Sequence, residues 1–188
     1  MTSTGWIVLI VGVTVVIVAG FWLYSRSRKT KELQQQFGPE YDRTVEQADK
    51  RREAEAELES RRKRVEGLDI RPLSAADKDR FSTAWQEIQP RFVDDPQATV
   101  VSADSLVGQL METRGYPVGE FEQRAADISV DHPEVVSNYR EAHRLAQRNV
   151  SGDATTEEQR RAFVHYRKLF DELLGDGVPN SARARLTT

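Results

Sequence analysis

Hydrophobic positions run without interruption at the start of the chain and recur only at helical spacing afterwards. Trp6 to Tyr24 reads WIVLIVGVTVVIVAGFWLY, and no charged side chain occurs before Arg26. At 1.5 Å per residue this stretch predicts a helix about 28 Å long, close to the hydrocarbon thickness of a bilayer. Trp6 stands at one end and Trp22 and Tyr24 at the other, where aromatic rings favour the headgroup boundary. Its valines and isoleucines disfavour a helix in water. In lipid the backbone has to satisfy its own hydrogen bonds, so a helix forms regardless. The cations Arg26, Arg28, Lys29 and Lys31 follow the apolar run, whereas a cleaved leader carries them in front. A retained single-pass anchor is expected. The same cations resist translocation, which predicts contact with membrane lipid, an outside N-terminus and a cytoplasmic body at the cell membrane. Gly5, Gly12 and Ala19 form a small-residue stripe. It keeps a homodimer open as a partner state, although no GxxxG occurs and glycine is common in membrane helices.

Past the anchor the pattern becomes helical. At Phe37-Gly38-Pro39, Gly38 reads as an N-cap, with Pro39 at the first helical position and Glu40 in the first turn. From Glu40 to about Val65 the chain carries dense charge of both signs, and it predicts one stalk helix about 40 Å long, a stiff spacer. Tyr41, Val45 and Ala48 open an apolar stripe that continues onto Arg52, Glu55 and Glu59. Ala54, Leu58 and Val65 lie on another face, so no coiled-coil seam is sustained. Glu46–Lys50, Glu57–Arg61 and Glu59–Lys63 have the favourable order at i,i+4 spacing.

From Leu68 onward, amphipathic helices alternate with clear punctuation. Ser74-Ala-Ala-Asp77 has the form of a capping box ahead of Phe81, Trp85, Ile88 and Phe92, and Pro90 shortens or kinks the last turn. Asp95-Pro96 opens a helix with Val100, Ala103, Val107, Leu110 and Met111 inward, closed by Gly115. Phe121, Ala125 and Ile128 mark a short helix. Asp131 reads as the N-cap of the next, whose inward positions are Val135, Tyr139, Ala142 and Ala146. Ser151-Gly152-Asp153 breaks it, and Thr155-x-x-Glu158 caps a final helix carrying Phe163, Tyr166, Leu169, Phe170 and Leu173. The expected fold is all-α, with a transmembrane helix (1–24), a basic juxtamembrane segment and charged stalk helix (25–67), a bundle of about five helices (68–175) and a disordered tail (176–188).

Composition narrows the chemistry. Cysteine is absent, which excludes disulfides, thiolate metal sites and a cysteine nucleophile. A net charge of −3 gives no electrostatic case for nucleic acid. The run Arg61-Arg62-Lys63-Arg64 follows an acidic stretch and reads as a solvated face. His132 and His143 sit about 16 Å apart along one helix, too far to share a metal, and no HExxH or Glu-x-x-His occurs. No cofactor is expected, because phosphate loops of the Walker and Rossmann types are both missing. Asp131-His132-Pro133-Glu134 is explained by capping, with Asp131 accepting from the Glu134 backbone and Glu134 reaching back.

The strings FGPEYDRTVE (37–46), RFVDDP (91–96) and RGYPVGEFEQRAADISVDHPEVVSNYR (114–140) resemble an uncharacterised family of bacterial proteins, over about residues 33–174. The resemblance implies an N-terminal membrane segment followed by a charged helical domain, and carries no catalytic residue with it. A non-enzymatic tether or scaffold for a protein partner is therefore expected. The expected partner surface lies around Arg114, Tyr116, Pro117 and Phe121, with Tyr116-Pro117 an exposed aromatic turn. The alternative is a membrane-tethered ligand sensor or enzyme using Asp131, His132 and His143.

Overall fold

The computed structural model describes residues 27–175 and, before them, positions 13, 14, 17, 20, 21 and 24. Every regular element among these residues is helical. Residues 27–37 form α1. It is followed by α2 (Pro39–Gln47), α3 (Arg51–Glu66), α4 (Ala75–Ile88), a 3-10 turn (Pro90–Phe92), α5 (Pro96–Thr113), α6 (Phe121–Asp131), α7 (Pro133–Val150) and α8 (Thr156–Gly175). The tail 176–188, like most of the apolar run 6–24, lies outside the described residues. Among the described residues, no helix is long and apolar enough to cross a membrane.

Local chemistry sets the ends of α4, α5 and α8 as the punctuation predicts. Ser74 Oγ accepts the Asp77 backbone N–H at 3.1 Å, and Asp95 Oδ1 accepts that of Ala98 at 2.9 Å. Thr155 and Glu158 form a reciprocal box, with Thr155 N donating to Glu158 Oε2 and Glu158 N donating to Thr155 Oγ1. Pro90 ends α4 and starts the 3-10 turn, since it lacks the N–H that another α turn requires. α8 packs chiefly on α7 and α5. Trp85 stacks on Phe163 and Phe170, with ring centroids 5.1 and 4.5 Å apart, which fastens α4 to α8.

The stalk is where the structure departs from expectation. The chain bends at residues 48–50, and α3 turns back on α2 rather than continuing it as a 40 Å rod. The two apolar faces that failed to align explain this. A straight helix would leave one of them in water. Folding back buries Tyr41 on α2 together with Ala54, Leu58 and Val65 on α3. Of the predicted i,i+4 pairs, Glu57–Arg61 forms at 3.0 Å and Glu59–Lys63 at 4.0 Å. Lys50, at the bend, instead meets Glu53 at 3.7 Å.

α1 also belongs to the body. Leu33 and Phe37 are buried in the common core. Thr30 Oγ1, the Tyr41 hydroxyl and Arg51 Nε all donate to Glu55 Oε1, at 2.9, 3.1 and 2.8 Å. The run Arg61–Arg64 is a clamp: Arg61 pairs with Glu40 and Glu57, Arg62 with Glu32 and Glu59, and Arg64 with the buried Asp127 on α6. Gly38 turns α1 into α2 at φ +47° and is the N-cap of α2, with Pro39 first in the helix, as predicted.

Candidate functional site

The expected sites divide into three groups. In the first, at the start of the described residues, Tyr24, Arg28, Lys29 and Lys31 are exposed, and the Arg28 guanidinium lies over the Tyr24 ring at 5.0 Å. Trp6, Trp22 and Arg26 lie outside the described residues.

The second group does not form the surface expected of it. Arg114 is fully buried and donates from Nη1 to the Leu173 carbonyl at 2.7 Å, holding the C-terminal turn of α8. Tyr116 is buried as well, and its hydroxyl donates to Asp131 Oδ2 at 2.8 Å. The exposed part of the turn is Pro117-Val118-Gly119, with Phe121 half-buried beyond it. Gly115 is why Tyr116 turns inward. It sits at φ +95° against the backbone of Asp69, so closely that an added Cβ would lie 2.3 Å from the Asp69 carbonyl oxygen.

Capping at Asp131 is likewise corrected. Asp131 is the last residue of α6 rather than the N-cap of α7, and its carboxylate accepts from Tyr116. His132 alone joins the two helices, and it is buried. Its Nδ1 lies 3.4 Å from Glu172 on α8. The Asp–His pair is thus a buried joint between helices. Among the described residues, no group of three or more acidic, histidine or cysteine side chains is placed to hold a metal ion.

His143 belongs elsewhere. α6 and α7 fold back on each other from His132, which brings Phe121 and His143, equidistant from it in sequence, face to face. Their ring centroids are 3.6 Å apart and nearly parallel. Beside them lies an open groove of about 1100 Å³ lined by Arg43, Phe121, Arg124, Arg140, His143 and Arg144. Behind it, Asp104 on α5, Tyr139 on α7 and Tyr166 on α8 approach one another. Burial pushes the Tyr139 phenol up to about 12, with Arg124 opposing and Asp104 reinforcing the shift. Tyr166 is raised by burial and then by Asp104. His143 is held below the usual imidazole range by burial, against the pull of Asp104. Its Nε2 lies 2.9 Å from the Gln147 side-chain amide nitrogen.

Arg124 and Gly108 escaped the sequence reading. Arg124 Nη1 lies 3.6 Å from where a Cβ on Gly108 would stand, an ordinary contact distance, so a side chain longer than alanine's there would press on the guanidinium. A glycine inside a helix costs about 1 kcal/mol relative to alanine, and that cost was the signal available in the sequence. Comparisons with protein-family models, curated proteins and solved structures found no match.

Proposed function

We propose that the chain is a single-pass membrane protein, N-terminus outside, whose helical body works at the cytoplasmic face as a non-enzymatic scaffold for a protein partner. The observation that carries this is the way α1 enters the body. The described positions before it are helical and expose Val13, Ile17, Phe21 and Tyr24, apolar groups that suit lipid. Within a few residues the chain is fixed to the core by Thr30, Leu33 and Phe37. Such a body sits against the bilayer without a spacer, and the exposed Arg28, Lys29 and Lys31 fall at the headgroup level. Reporter fusions at residue 188 test the orientation: activity confined to the exterior refutes it. Recovery of the full chain in the soluble fraction after lysis refutes the anchor.

The groove favours a second reading, a tethered ligand sensor. It places His143 and Phe121 beside several charged side chains, while Asp131 and His132 are buried in the joint and take no part. Chemical-shift changes at His143 and Phe121 on adding a metabolite extract, absent elsewhere in the body, would favour it over the scaffold.

A further inference from the structure

Four arginines line the groove between α6 and α7, and three are engaged with carboxylates of the chain itself. Arg43 and Arg140 pair with Glu40, Arg140 also with Glu122, and Arg144 with Glu141. Arg124 differs from these. Among the described residues it has no ion-pair partner, and its Nε is buried without a hydrogen-bond partner. A guanidinium drawn part-way out of water without a direct ion-pair partner is unfavourable, even with the Asp104 carboxylate acting on the same rings.

The neighbouring side chains add a flat wall. Phe121 covers one face of the imidazole. A carboxylate or phosphate accepts from a guanidinium fork with matching geometry, and a planar body suits an aromatic wall. The volume beside them exceeds what an inorganic anion would fill.

We propose that this groove binds an organic oxyanion, its carboxylate or phosphate group paired with Arg124 and its body laid against Phe121 and His143. The proposal rests on the ligand-sensor reading and is independent of the anchor. A side chain longer than alanine's at position 108 would displace the guanidinium from α5.

The test is titration of the full chain in detergent micelles with phenyl phosphate, benzoate and inorganic phosphate, followed by calorimetry and by shifts of the His143 and Phe121 resonances. Saturable binding of phenyl phosphate or benzoate is expected, tighter than that of inorganic phosphate. Affinity should fall about tenfold or more in Arg124→Gln. It should fall similarly in Gly108→Leu, which keeps the charge but fills its seat, so the test survives if one variant fails to fold. Unchanged affinity in either folded variant overturns the proposal. Binding of neutral benzamide at these rings without binding of any of the three anions also overturns it, while leaving the ligand-sensor reading standing. Failure of all four probes to bind at millimolar concentration overturns both.

Discussion

Removing the Glu40 carboxylate should loosen the contact of α2 and α3 with the bundle. Glu40 is 2% exposed, and its Oε1 accepts from Arg43 at 3.2 Å, Arg61 at 3.0 Å and Arg140 at 2.9 Å, on α2, α3 and α7. The Arg43 side chain is 34% exposed, so that pair is screened and contributes little. Arg61 and Arg140 are 10% and 13% exposed, and breaking such shielded pairs from one side typically costs 3–5 kcal/mol. Each of these arginines keeps a second carboxylate, Glu57 or Glu122, which places the expected loss for Glu40→Ala at about 3 kcal/mol. For a chain of this size that lowers Tm by about 6–12 °C. Urea and thermal unfolding of the full chain in mild detergent, followed by circular dichroism, would measure it. A double-mutant cycle with Arg140→Ala should show a coupling of at least about 1 kcal/mol. A loss below about 1 kcal/mol with no coupling would refute the view that Glu40 clamps the three helices.

Three further outcomes follow from the packing. Gly115→Ala should cost more than about 3 kcal/mol, since it adds a clash with the Asp69 carbonyl to a positive φ, whereas Gly119→Ala, with nothing near its added Cβ, should be neutral or slightly stabilising. Urea midpoints of the two variants make the comparison, and equal effects would contradict it. Trp85→Phe should cost less than about 2 kcal/mol because the indole N–H is buried without a partner, while Trp85→Ala, which also loses the stacking on Phe163 and Phe170, should cost about 3–5 kcal/mol. His143 and His165 are both held below the usual imidazole range, chiefly by burial. The unfolded chain therefore binds their protons more readily. Their contribution to stability is present above about pH 6.5 and is lost as pH falls through the lowered folded values. The urea midpoint of the His143→Gln/His165→Gln variant should fall less between pH 7.5 and 5.5 than that of the parent chain, and identical slopes would exclude the effect.

Helix ends were legible in the sequence wherever the signal was local. Ser74, Asp95, Thr155 and Gly152 act through residues within one turn, and their spacing alone fixes what they do. The bend at Ala48–Lys50 was written there too, as an apolar stripe that changed face, but it reads as a failed coiled coil until both faces are seen buried. Asp131 was misread because Tyr116, its hydroxyl partner, lies far along the chain and nothing local distinguishes a helix end from a helix start at Asp-His-Pro. The burial of Arg114 has the same origin, since its acceptor is the Leu173 carbonyl, 59 residues further along the chain. The groove was hidden for a further reason. Phe121 and His143 are unremarkable singly, and only the reversal at His132 sets their rings in contact.

That reversal has a mechanical corollary. Two walls that share a single interior pivot residue cannot spread without disturbing Tyr116, Asp131 and Glu172 around it, so their mouth is held at one gauge before anything enters. An occupant of the right thickness would meet a finished fit and spend little on reshaping its host. A thicker one would have to lever open the end of α8, turning a local intrusion into strain at the far side of the bundle.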